Sequence, residues 1–219
     1  MKPAKKAVGK AVRRAAAPRL SRDDWLDAAF HAVVEGGFDN VRVLVIADTL
    51  GVTRGSFYWH FTDHADLVAA LLARWQEREM ALDAQWRGES AADARTELEN
   101  LLDAALAHTG VDVENVRFEL ALRGLGRRDP TVATMLAAVD AARMSLFEFK
   151  FMRLTGQPKQ AAELAALFYL AIAGGHQALS RPASPPQLKE YIRNIIADYL
   201  IRQQVPAAPA RARAATKRG

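Results

Sequence analysis

The chain contains no cysteine, which excludes a disulfide scaffold and a thiolate metal site. It has no apolar run near the roughly 20 residues that span a bilayer, and its basic N-terminus lacks the uninterrupted apolar stretch of a signal peptide. A soluble cytoplasmic protein with no membrane partner is expected. There is no Gly-rich phosphate loop and no nucleophile in a recognisable setting, and the carboxylates are scattered over solvated helical positions. Nothing here argues for catalysis or for a cofactor. His60 and His64 have metal-like spacing, but a predicted helix break after Phe61 falls between them, so no metal site is expected. Hairpin signals, internal repeats and heptad arrays are also missing from the sequence, which leaves an all-α reading.

What remains is a chain of 219 residues, 50% hydrophobic, long enough to bury one or two cores. Its net charge of +5 is unevenly distributed: residues 1–22 carry eight Lys or Arg and residues 203–219 carry four, with no acidic side chain in either stretch. The remaining 18 basic residues face all 25 acidic ones, so residues 23–202 sum to −7. Both tails are rich in Ala, Pro and Lys/Arg and poor in large apolar residues, a composition that cannot offset the entropy of ordering. Charge density and position favour DNA contact for the N-terminal arm, where Arg13, Arg14, Arg19 and Arg22 lead into the first helix.

The most informative stretch is Gly51 to Phe61, GVTRGSFYWHF. Upstream of it, residues 43–50 place apolar side chains at helical spacing, and Gly51 supplies the φ > 0 position that ends a helix. Two short helices joined by a tight glycine turn are predicted, with Ala47 at their crossing point and Ile46, Leu50, Val52 and Phe57 closing a small core. Phe57 and Phe61 belong to that core. Tyr58, Trp59 and His60 do not all fit, because so short a helix cannot bury every side of itself.

Around this pair the periodicity predicts a first helix over 21–36 with an apolar stripe of Leu26, Ala29, Phe30 and Val33. The second and third helices cover 43–50 and 54–60. A long fourth helix, capped by Thr62 or Asp63, runs through Leu67, Leu71, Trp75 and Leu82 to about Trp86. Further helices are predicted near 91–108, 113–126, 130–154, 157–179 and 186–203, with Gly110, Gly126 and Gly156 as breakers and Pro182, Pro185 and Pro186 before the last.

On the Ile46-Ala47 pair, the Leu50-Gly51-Val52 turn, the Tyr58-x-His60-Phe61 ending and the Asp63-x-x-Asp66-Leu67 start, the chain resembles the TetR family of bacterial regulators from Leu20 to about Leu72. Two positions depart from the family pattern. Arg42 stands where a capping Thr or Ser is common, a loss of about 1 kcal/mol unless Asn40 or a shifted start supplies the oxygen. His64 stands where a Lys is common, and is a weaker phosphate partner.

The resemblance implies about nine helices. A disordered basic arm (1–19) precedes a three-helix helix-turn-helix DNA-binding domain (20–79, motif about 42–61), followed by a helical ligand-binding and dimerisation domain (80–203) and a basic tail (204–219). Residues expected to meet double-stranded DNA are Arg22, Arg42, Thr53, Arg54, Gly55, Ser56, Tyr58, Trp59 and His60, with Arg54 able to pair with guanine O6 and N7. A homodimer on a palindromic operator follows from two-fold geometry. Small residues Ala161, Ala162, Ala165, Ala166, Ala173, Gly174 and Ala178, with a stripe of Leu188, Ile192, Ile195, Ile196 and Tyr199, mark the last two helices as the interface or as ordinary core. Phe118, Leu122, Met144, Phe147, Phe151, Tyr169 and His176 are candidates to line a pocket for an unknown small-molecule effector, with His108 nearby. The implied function is repression relieved by that effector. The alternatives are an architectural DNA-binding protein that works through its basic tails, and an activator of the same fold.

Overall fold

The computed structural model describes residues 20–89, 93–106, 111–179 and 187–204. The arm up to residue 19, the tail from residue 205, His108, Gly110, Pro182, Pro185, Pro186 and the side chain of Leu188 lie outside the described residues. Within them the molecule is all-helical, with nine α-helices and no strand: α1 Arg22–Gly36, α2 Val43–Thr49, α3 Arg54–Phe57, α4 His64–Gly88, α5 Ala94–Ala105, α6 Val111–Gly126, α7 Pro130–Thr155, α8 Pro158–Leu179 and α9 Leu188–Ile196. A 3-10 turn, Phe38–Asn40, precedes α2, and a π-helical turn, Ala197–Arg202, extends α9.

Four helix starts are set by side-chain caps. Ser21 and Asp24 form a reciprocal capping box on α1, with the Asp24 amide donating to Ser21 Oγ at 3.2 Å and the Ser21 amide donating to Asp24 Oδ2 at 2.6 Å. Asp63, Asp93 and Asp129 accept backbone N–H bonds at the starts of α4, α5 and α7, and Pro130 occupies the first turn of α7. Gly156, at φ +67°, closes α7 in the left-handed conformation that favours glycine. At α2 neither substitute operates: the helix starts at Val43 without a shift, with no side-chain bond from Arg42 at its cap, and the Asn40 side chain lies against Gly36, where a Cβ would come within 1.8 Å of Asn40 Nδ2.

The first core joins Trp25, Leu26, Ala29 and Val33 of α1 to Ile46, Ala47, Phe57, Phe61, Leu67, Leu71 and Trp75. It continues into Phe118 and Leu122 of α6 and Val132, Leu136 and Val139 of α7. A second core joins Leu98, Leu101 and Leu102 of α5 to the C-terminal half of α7, the inner face of α8, and Ile196 and Ile201. The two cores thus divide the molecule within α7, and the first reaches well beyond residue 79.

Two expectations are corrected. Leu82 does not continue the inner stripe of α4 but is 41% exposed, because the i+4 step from Leu67, Leu71 and Trp75 arrives at Glu79, which is buried. In the last helix the predicted stripe splits. Ile196 enters the second core, whereas Ile195 and Tyr199, four positions apart, share an exposed side.

Candidate nucleic-acid interface

α2 and α3 are joined by a turn in which Gly51 has φ +67°, with the Gly51 amide donating to Asp48 O and the Val52 amide to Ala47 O. Ile46 and Ala47 from α2, and Phe57 from α3, are buried beneath it. The third helix is shorter than predicted. α-Helical geometry ends at Phe57, and Tyr58–His60 continue as tight turns, with the His60 amide donating to Phe57 O at 2.9 Å. Both buried rings lie on one side of this segment: Phe57 and Phe61 stack with centroids 5.5 Å apart, and Trp25 meets the edge of Phe57 at 5.4 Å.

The opposite side carries the predicted contact residues. Thr53, Arg54, Gly55, Tyr58 and Trp59 are exposed and Ser56 and His60 are half-buried; Trp59 is 85% exposed. Arg54 Nη2 donates to Tyr58 Oη at 2.8 Å, and its guanidinium lies 5.7 Å from the centre of that ring. Arg22 caps the far end, 4.8 Å above Phe61. Arg42 is exposed at the start of α2. His64, the first residue of α4, shares a hydrogen bond with Val41 O through Nε2 at 2.7 Å. It therefore ties the long helix to the entry of the helix-turn-helix. Asp24 sits below its ordinary pKa because the Ser21 backbone amide, and then the Ser21 hydroxyl, bond its carboxylate.

The candidate effector residues are not gathered into one cavity. Phe118 and Leu122 are fully buried in the first core, whereas Phe147 and Phe151 are buried in the second, with Met144 and Tyr169 packed at its edge. His176 Nε2 lies 2.7 Å from Ala105 O, linking α8 to the end of α5. Helical periodicity identified their inward faces correctly but could not say which neighbour each face meets.

Between these cores runs a charged network. Arg143 donates to Glu79 at 2.6 Å and to both oxygens of Glu119 at 2.9 Å. Arg123 bridges Glu119 and Asp140, each at 2.7 Å, and reaches Tyr169 Oη at 3.3 Å. Four helices, α4, α6, α7 and α8, meet through these bonds. Burial pushes the Glu119 carboxyl up, but the bonds and charges of Arg143 and Arg123 outweigh it and hold the group down at about 2. Asp83, one turn beyond Glu79, is pushed up to about 6 by burial, and its Oδ2 has no hydrogen-bond partner. A second buried pair, Lys150 and Glu97 at 3.2 Å, ties α7 to α5, and Lys150 also donates to Glu89 O at 2.6 Å.

Fold and surface together define a helix-turn-helix protein carried on a helical body. Residues 26–71 match the family described as bacterial regulatory proteins, tetR family. Over 52 residues the chain is 42% identical to the HTH-type transcriptional regulator TtgR of Pseudomonas putida, a stretch that is 24% of this chain and 25% of that protein, so the chain spans a quarter of this curated relative. A transcriptional regulator from Rhodococcus sp. Rha1 shares the fold with a TM-score of 0.71 at 20% identity, covering 87% of this chain and 100% of the other. A regulator from Saccharomonospora viridis, solved in complex with choline, does so with a TM-score of 0.70 at 20% identity, covering 85% and 98%. The family match thus covers the helix-turn-helix head, and the likeness to the solved structures is one of fold. The proteins it matches are described as transcriptional regulators.

Proposed function

We propose that this protein is a sequence-specific DNA-binding repressor that works as a homodimer in the cytoplasm, with Thr53–His60 as its recognition segment. The observation that carries this reading is the division of the FYWHF cluster, which buries both Phe rings and presents Trp59 and Tyr58 to solvent beside Arg54. Among the described residues no contact accounts for a tryptophan so exposed, and its ring suits packing against sugar or a thymine methyl group, while Arg54 suits guanine. Gly55 leaves room for close backbone approach. A Cβ there would meet only Thr53 Oγ1, at 3.6 Å, so the protein itself does not require the glycine.

Dimerisation is supported by the outer faces of α8 and α9, where Leu167, Leu170, Tyr191, Ile195 and Tyr199 are more than half exposed. A second copy brings a second recognition segment to a palindromic operator. Release by a small-molecule effector in the body is supported by the relative that holds choline. A coupling of about 1–3 kcal/mol would weaken operator affinity about 5- to 150-fold.

Binding-site selection from genomic DNA at about 0.15 M salt, where phosphate contacts are weakened, tests the reading. A recurrent palindrome is expected. Uniform recovery of fragments would instead support an architectural role exerted through the arms, as would loss of most binding on deleting residues 1–18. The acidic sum of residues 23–202 argues against that role, because it repels phosphates outside the recognition segment.

A further inference from the structure

We propose that Leu44 is a specificity-determining residue of the recognition surface: it meets the C5-methyl group of a thymine beside the bases under Thr53–His60, and so fixes thymine at that place in each operator half-site. The proposal rests on the DNA-binding reading above and adds a residue of α2 to it.

α2 carries more apolar side chains than its small core uses. Ile46 and Ala47 are buried, and Val43 and Leu50 pack against the first core from its edge. Leu44 belongs to neither core and is 60% exposed. At about 3.6 residues per turn, the exposed side of the helix has two flanks. Val45 and Thr49 occupy the flank toward α1, where they line a groove with Asp27, Ala28 and His31. Leu44 occupies the other flank, one turn before Ala47. Ala47 is where the turn to α3 closes, with the Val52 amide donating to its carbonyl at 2.9 Å. Leu44 therefore stands on the flank next to α3 and continues the exposed surface of Arg54, Tyr58 and Trp59.

The chemistry of the side chain selects what covers it. A leucine neither donates nor accepts a hydrogen bond, and among the base edges of the major groove the apolar group on offer is the thymine methyl. The charges of α2 set the angle of approach. Arg42, two residues before Leu44, is exposed and suits a phosphate, whereas Asp48, one turn after it on the same flank, repels phosphate. α2 thus meets the duplex by its first turn, which holds Leu44. The faces offered for dimerisation lie elsewhere, on α8 and α9, whose inner sides belong to the second core.

The test titrates the full chain onto the palindrome recovered by binding-site selection. It is also titrated onto copies in which each thymine of the half-site is replaced in turn, in both halves, by deoxyuridine, which lacks only the C5-methyl group. Wild type, Leu44→Ala and Leu44→Gln are compared, with thermal melting to confirm that each is folded. Burial of one methyl is worth about fourfold in affinity, so at one position the paired replacements should weaken wild type about 15-fold and leave Leu44→Ala within error. Leu44→Gln should shift the selected base at that position from thymine toward adenine, whose N6 and N7 a glutamine pairs. Equal losses for wild type and Leu44→Ala at every uracil position would overturn the assignment, as would an unchanged selected site for Leu44→Gln. Either result leaves the operator reading standing, because wild type still binds its palindrome. Recovery of no palindrome overturns both.

Discussion

The recognition segment and the charged network of the body handle polar and aromatic groups in opposite ways. Around α3 the chain leaves Trp59, Tyr58 and Arg54 in water with little to hold them but one another. In the body it draws Glu79, Glu119 and Arg143 out of water and joins them through short hydrogen-bonded ion pairs. Substitutions in the first region should therefore leave stability alone and change binding, and those in the second should do the reverse.

The largest break in that comparison is Arg143→Met. It leaves Glu79 and Glu119 without their shared cation, and losing one partner of a buried pair costs about 3–5 kcal/mol. Urea denaturation should show a lower midpoint at unchanged slope. Replacing Glu79, Glu119 and Arg143 together by apolar residues of similar volume should recover much of the loss.

Next come Arg54→Ala and Trp59→Ala. A good base contact is worth about 1–3 kcal/mol, so operator affinity should fall about 5- to 150-fold while the melting temperature stays within error of wild type. Equal losses on operator and random DNA would assign these side chains to the phosphate backbone instead. Tyr58→Phe removes the hydroxyl that accepts from Arg54, and should relax sequence preference more than it weakens overall binding.

The pH response sharpens the contrast within the body. Glu119, held at about 2, contributes stability above its ordinary value near 4.5, and that contribution is lost as pH falls toward 2. Asp83 works the other way. With its carboxyl raised from 3.8 to about 6, the native state keeps a proton that the unfolded chain has released, so stability declines as pH rises through that window and then levels off. Asp83→Asn should remove the decline and make the protein more stable at pH 7 than wild type, as read from denaturation midpoints at pH 5 and pH 7. A variant with the same pH 5 to pH 7 difference as wild type would contradict this account.

The smallest effect is expected from Gly55→Ala. The new methyl meets only Thr53 Oγ1 at ordinary contact distance, and alanine is favoured in a helix by up to about 1 kcal/mol. Stability should rise slightly or stay level. If the glycine serves close approach to DNA, operator affinity should fall, a separation that thermal melting and a binding titration on the same sample would reveal.

These regions were unequally legible in the sequence. Caps and turns are local, so Gly51, Asp63 and Gly156 marked helix ends that the structure keeps. The inward and outward sides of Phe57–Phe61 followed from how little of a short helix can be buried. Glu79 was not legible, because a glutamate on a helix is ordinarily solvated and its partner Arg143 lies 64 residues away. Continuing the α4 stripe to Leu82 instead was the resulting error. Phe118 and Phe151 both looked inward, and both are, but toward different cores.

The packing of Phe118 has a consequence for how the molecule comes apart. That ring stacks on Phe30 of α1 at 5.0 Å and meets Phe38 at 5.7 Å, so the body supplies a wall of the helix-turn-helix unit's own interior. α4 and α7 each pass from one core toward the other. A fragment ending near residue 79 would expose these aromatic faces and should melt far below the whole chain or aggregate. The head is thus less a detachable module than the end of a single cooperative unit, one that should lose amide-exchange protection in α1 and α6 together.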